Sequence, residues 1–250
     1  NGGVLGKRLV LAYRDDGTDE YKVHRAAQAL ADEGVPVVIG TVSSSLTALA
    51  GADLPPETAL ISGSATSPAL SEYFSSGRLF RTCATDAGEG RLLARRALER
   101  GYRTAVVIRR AGEFERGIAD GFTSYFERFD GEVFAVREYQ PGQESYVSLL
   151  AEVLADGPQV VVLDADPVDG AQIVRDYAAG FVGAKAFWLF SHAVEDNAFV
   201  TAVGPRLFTF GHEGTGPGTP VGRRYTQFAE AYQQRYGSAP TMGAFAANVY

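Results

Sequence analysis

Short aliphatic and β-branched runs alternate with amphipathic stretches of helical period almost from end to end of this chain, and no other feature constrains its fold as tightly. Strands that take turns with helices are joined by crossovers, and crossovers leave neighbouring strands parallel. The runs predict strands at 8–13, 36–39, 59–62, 78–82, 104–109, 132–139, 159–164, 185–190 and 206–210. Helices are predicted at 19–33, 44–51, 68–75, 87–100, 114–129, 146–156, 168–180, 195–203, 221–236 and 241–250. Within one of these, Leu92, Leu93, Ala97 and Leu98 share a face while Arg91, Arg95 and Arg96 occupy others, the pattern of a helix laid on a sheet. Nine strands exceed what one doubly wound sheet in 250 residues usually carries, and the rhythm relaxes at 82–87 and at 211–219. Both breaks read as crossings between two lobes, the second rich in glycine (Gly211, Gly214, Gly216, Gly218).

Hydrophobic residues make up 46% of the chain and charged ones 21%, enough apolar side chain for one large core or two modest ones. Asp and Glu outnumber Lys and Arg 30 to 23, with no basic cluster interleaved with aromatics, which excludes nucleic acid as a partner. No apolar run is long enough to cross a bilayer, and no leader pattern precedes Asn1; mature exported proteins share that second property. Cys83 is the only cysteine, so neither an intramolecular disulfide nor a cysteine metal site can form.

Two predicted strands run directly into hydroxyl-rich turns that open helices, Thr41 to Ser45 and Ser62 to Pro68. The first backbone N–H groups of a helix have no intrahelical partner and carry partial positive charge, so two such turns side by side would make a socket for a carboxylate. Taken singly, each is an ordinary serine N-cap, and Ser67-Pro68 is a common way to start a helix.

Catalytic motifs are largely missing. Gly214 to Thr219 sits between a strand and a helix, but Thr219 stands where a dinucleotide fingerprint needs its third glycine. Gly63-Ser64-Ala65-Thr66 lacks the flanking glycines of a nucleophile elbow. His192 and His212 each follow a strand and, with Asp166 or Glu213, offer a set of metal ligands, though without a short ligand spacing. Loop histidines satisfied by backbone or water are the commoner outcome. A metal-dependent hydrolase is thus the minority reading, and neither metal nor cofactor is expected.

The ordered set of Asn1 to Lys7, Arg14-Asp15-Asp16, Thr18-Asp19, Ser62 to Leu70, Phe80-Arg81-Thr82 with Asp86 and Gly90, Phe114 to Gly117, Tyr139 to Gly142 and Tyr236 to Pro240 resembles the leucine/isoleucine/valine-binding type of periplasmic solute receptor. The resemblance implies an α/β type I binding protein: two Rossmann-like lobes of parallel sheet, residues 1–84 plus 212–250 and residues 85–211, joined by hinge crossovers. It implies an exported protein, periplasmic or anchored outside the membrane, whose precursor carries a signal peptide. Such a protein captures an amino acid or related organic carboxylate between its lobes and delivers it to the membrane permease of an ABC importer. A ligand-sensing domain of a receptor or regulator is the alternative within the fold. Residue by residue, the resemblance places ligand contacts at Ser43, Ser44 and Ser45, at Ser64, Ala65 and Thr66, at an aromatic cover Phe114, and at Asp166. His192 falls where branched-chain amino-acid receptors carry a glutamate for the ligand's ammonium, so a plain α-amino acid is in question unless Asp166 or Glu213 takes that part. It also places the family's first strand and helix before Asn1 and its last elements after Tyr250. A lobe lacking its first, central strand is expected to expose sheet edges.

Overall fold

The computed structural model describes residues 3–73, 77–112, 115–194, 196–216, 218 and 221–240. The chain divides into two compact units, the first made of Asn1–Thr66, Leu70–Cys83 and Phe228–Tyr250, the second of Ser67–Ala69 and Ala84–Gln227. The resemblance implied a second division after 211; the units instead divide between Gln227 and Phe228, and a short strand at 212–214 belongs to the sheet of the second unit.

The first unit carries α1 (Glu20–Asp32), β1 (Val37–Ile39), α2 (Ser44–Asp53), β2 (Ala59–Ser62), α3 (Ala69–Tyr73) and β3 (Leu79–Arg81). Asp19 caps α1 by accepting from the Lys22 N–H at 3.0 Å, and the helix buries Val23 and Ala27. The three strands pair in parallel in the order β1-β2-β3. Their register sets Val37, Ile39, Ala59, Ile61 and Phe80 on one face, because strand side chains alternate and partnered residues point the same way. On the opposite face Leu60 and Ser62 are fully buried, whereas Ile39 and Phe80 remain 64% and 55% exposed. The strand predicted at 8–13 does not form. Leu9, Val10 and Leu11 stand exposed, and without a ladder partner among the described residues their backbone groups are left to water.

The second unit carries α4 (Asp86–Glu99), β4 (Thr104–Arg110), α5 (Gly117–Arg128), β5 (Glu132–Tyr139), α6 (Val147–Val153), β6 (Val160–Asp164), α7 (Pro167–Gly180), β7 (Phe187–Phe190), α8 (Asn197–Val203) and β8 (His212–Gly214). A further helix, α9, runs from Arg223 to Tyr236, and the helix predicted at 241–250 lies outside the described residues. The five strands form a parallel sheet in the order β5-β4-β6-β7-β8. Continuous apolar runs in β4 and β6 are buried on both sides, as a sheet sandwiched by helices requires. One face packs Ile108, Leu163, Trp188 and Phe190 against α6, α7 and α8. The other packs Val107, Val162 and Leu189 against Leu93 of α4 and Phe122 and Phe126 of α5. The strand predicted at 206–210 is instead a 3-10 turn over Gly204–Thr209. Pro205 near its start has no N–H to give a ladder. Pairing begins only after Gly211, where a Cβ would come within 2.8 Å of the Phe187 ring.

Candidate functional site

In the first unit β1 and β2 are adjacent, so the turns that follow them leave the sheet at the same edge. Ser64 Oγ donates to the Val42 carbonyl at 2.8 Å and Ser62 Oγ to the Thr41 carbonyl at 3.2 Å, which ties the two turns side by side. Ser43 is the N-cap of α2, accepting from the Leu46 N–H at 3.2 Å, and its hydroxyl lies 3.2 Å from that of Ser45. Ser44 is the first helical residue. The second turn is more closed than its sequence suggests, because Ser62 Oγ takes the N–H groups of Ser64 and Ala65 at 3.3 and 3.0 Å. Ala65 is buried, and α3 has only five residues. What this turn leaves uncommitted is the half-buried Thr66, whose hydroxyl has no hydrogen-bond partner among the described residues.

In the second unit the strand order reverses between β4 and β6, since β5 lies beyond β4 and β7 beyond β6. Open parallel sheets bind ligands outside the carboxyl ends of strands at such a switch point. Phe114, in the loop after β4, lies outside the described residues. Asp166, just past β6, is largely occupied. One carboxylate oxygen caps α7 through the N–H groups of Val168 and Asp169 at 3.0 and 3.1 Å, and the other accepts from Tyr139 OH at 3.3 Å. Burial works to raise its pKa, but these hydrogen bonds, the Asp169 N–H foremost, hold it below the usual range.

His192 follows β7 and is bound by a residue that sequence reasoning missed. Glu89, in the first turn of α4, accepts the His192 backbone N–H on Oε1 at 2.7 Å and the ring Nδ1–H on Oε2 at 2.5 Å. The Thr215 hydroxyl, just past β8, donates to the same Oε1 at 2.5 Å. The Glu89 hydrogen bond, opposed by burial and helped by the carboxylate's charge, raises the His192 pKa to about 9, so the ring is an imidazolium at neutral pH. Burial disfavours the Glu89 carboxylate, yet its bonds to His192 and Thr215 keep its pKa below normal. Asp164, at the end of β6, accepts from Ser191 Oγ at 2.7 Å. Burial pushes its pKa up to about 7, the Ser191 bond opposes this, and the charges of Asp86 and Glu89 add to it. A cavity of about 600 Å³ opens beside this cluster, lined by Phe190, Ser191, Phe199, Leu207, His212 and Thr215 among others.

The pairing of His192 with His212 in a metal set does not survive. Among the described residues, the side chains that gather closely enough to share a cation are Asp86, Glu89 and His192, within 4.8 Å of one another, and they include neither His212, Asp166 nor Glu213. His212 instead packs on the rings of Phe190 and Phe210. Glu213 is held by Arg96 at 2.6 Å and by Arg100, first Arg96 and then Arg100 lowering its pKa to about 2. Glu89 and Thr215 lie 103 and 126 positions from their partners, a proximity no sequence window can show.

Parallel α/β units bind their ligands in loops beyond the carboxyl ends of their strands, a geometry that many classes of protein share. The chain belongs to the periplasmic binding protein family, whose model matches residues 1–250. Leu/Ile/Val-binding protein homolog 3 of Brucella melitensis is 24% identical over 177 residues, 70% of this chain and 48% of its own length. The chain thus spans about half the length of that relative. Among solved structures, a leucine binding protein, LivK, of Thermotoga maritima matches with a TM-score of 0.77 and 20% identity over 98% of this chain and 70% of its own. A solute binding protein of an ABC transporter of Rhodopseudomonas palustris, in complex with 3,4-dihydroxybenzoic acid, matches with a TM-score of 0.74 and 16% identity over 98% and 68%. Both similarities show the type I periplasmic binding protein fold. No helix among the described residues is long and apolar enough to cross a membrane.

Proposed function

We propose that this chain captures a small organic carboxylate outside the cytoplasm and presents it to the permease of an ABC importer, without catalysing any reaction on it. The observation that carries this reading is the pair of hydroxyl turns tied together at one sheet edge of the first unit, with the Thr66 hydroxyl uncommitted. Ser43, Ser44 and Ser45 at the start of α2, with Ser64 beside them, supply the polar surroundings an anion needs. Ala65, with its side chain buried, contributes to the site through its backbone turn. Phe114 keeps its proposed place as an aromatic cover.

The finer reading concerns which group of a ligand the second unit recognises. An imidazolium donates and does not accept, so His192 suits a carboxylate, phenol or hydroxyl oxygen and repels an ammonium. Asp166 and Glu213, the two carboxylates that could have replaced the missing glutamate, already serve α7 and a pair of arginines. An aromatic or aliphatic acid without an α-ammonium therefore fits better than leucine, in keeping with the dihydroxybenzoic acid held by the Rhodopseudomonas protein.

Calorimetry and thermal shifts with benzoate, 4-hydroxybenzoate, 3,4-dihydroxybenzoate, leucine and isoleucine test both levels. A probe at 100 times its Kd should stabilise the native state by about 2.7 kcal/mol. For whichever acid binds, Thr66→Ala should weaken affinity by about 10- to 100-fold, the worth of one charge-assisted hydrogen bond. Unchanged affinity removes Thr66 from the site. Tight leucine binding with no shift from any amine-free acid overturns the ligand class.

A further inference from the structure

The contacts of Glu89 exceed what an ordinary ion pair requires. One carboxylate accepts three hydrogen bonds, two from His192 and one from Thr215, and so joins the start of α4 to the loops after β7 and β8. The backbone bond fixes where the residue sits, and the Nδ1 bond fixes how its ring is turned. Nδ1 is thereby consumed, while Nε2 has no hydrogen-bond partner among the described residues and the side chain keeps 26% of its exposure.

We infer that Glu89 is the specificity-determining residue of this unit. By holding the His192 ring through Nδ1 it leaves Nε2–H as a fixed donor that reads an oxygen of the ligand and rejects an ammonium. The inference rests on the proposed role of His192 in ligand recognition. Charged groups facing the ring are Asp86 and Glu89 of α4 and Asp164 of β6, with the Thr215 hydroxyl beside them. Of these only Glu89 is bonded to the imidazole.

The test separates the ring from the ligand. In the ligand-free 250-residue chain, nitrogen-detected NMR of His192 should show a ring protonated up to about pH 8. In Glu89→Gln its midpoint should fall by two or more pH units, toward the ordinary histidine value of about 6.5. Thr215→Val, which removes one donor to Glu89 and keeps the side-chain shape, leaves the carboxylate a stronger acceptor for the ring and should move the midpoint upward by less, and serves if Glu89→Gln does not fold. With 4-hydroxybenzoate as probe, Glu89→Gln should lose about 10-fold in affinity at pH 7.5 and acquire a pH dependence between 6 and 7.5 that the parent chain lacks. If the parent binds leucine and none of the acids, the proposed ligand class fails separately. Glu89 then still sets specificity if Glu89→Gln tightens leucine by 10-fold or more. A midpoint unmoved by Glu89→Gln, or an affinity loss equal at every pH, makes Glu89 merely structural and overturns the inference. So does stoichiometric binding of zinc chloride that His192→Ala abolishes, which would assign the cluster to a cation.

Discussion

At the end of β6 the Asp164 carboxylate accepts one hydrogen bond, from Ser191 Oγ, and faces the charges of Asp86 and Glu89. Burial is the first cause of its raised pKa, so the folded state favours the protonated acid, and the sign of the linkage follows. Below the unfolded value of about 4 the group stabilises the fold fully; that contribution is lost as the pH rises through about 7. Asp164→Asn keeps an acceptor for Ser191 and removes the ionisation. The variant should be more stable than the parent by about 1–2 kcal/mol at pH 8, discounted for partial exposure, with the difference vanishing near pH 4. Urea melts at the two pH values decide it, and a constant difference would show that shape, not charge, governs the position. Asp166, two residues on, has the opposite shift because backbone N–H groups aim at it. Sequence spacing treats these two aspartates alike, and only the three-dimensional surroundings separate them.

Among the elements, α4 and α5 make the tightest approach, through glycines with no room for a side chain. A Cβ on Gly90 would lie 2.2 Å from the Ile118 carbonyl oxygen and 2.6 Å from the Phe122 nitrogen, both backbone atoms that cannot step aside. Two residues earlier, Gly88 of the same helix would meet only the tip of Arg91, at 3.8 Å. Gly90→Ala should therefore destabilise by about 1–3 kcal/mol through overpacking, while Gly88→Ala should stabilise by about 0.5–1 kcal/mol through helix propensity. Opposite shifts in thermal midpoint test the pair, and equal shifts would refute the close-packed assignment. The alternation of strand and helix was legible because it is written in local periodicity: β2, β4, β5 and α7 fall within a residue or two of their predicted bounds. Elements failed where the deciding partner was remote. The run at 8–13 has a strand's composition but no ladder partner among the described residues, and 206–210 has a strand's composition but follows Pro205. In the candidate site the hydroxyl turns were readable as motifs, whereas Glu89 had no local signature.

Across the whole molecule the two units differ in how much apolar surface they bury. The fully buried aromatics Phe122, Phe126, Tyr139, Tyr146, Tyr177 and Trp188 all belong to the second unit. The first unit buries mainly alanine and leucine and leaves Ile39, Phe80 and the 8–13 run exposed. Brief digestion with chymotrypsin should cut first within residues 9–13 and leave residues 84–216 resistant, since unpaired, solvated backbone is what a protease engages. Survival of the first unit while the second is degraded would reverse that order. Trp188, the only tryptophan in the chain, lies fully buried on the inner strand β7 between Tyr177 and Phe190. Its fluorescence is consequently a private optical signal of the second unit, while far-ultraviolet circular dichroism sees the helices of both. Overlaying the two melting curves would tell, without any label, whether the chain comes apart in one step or in two.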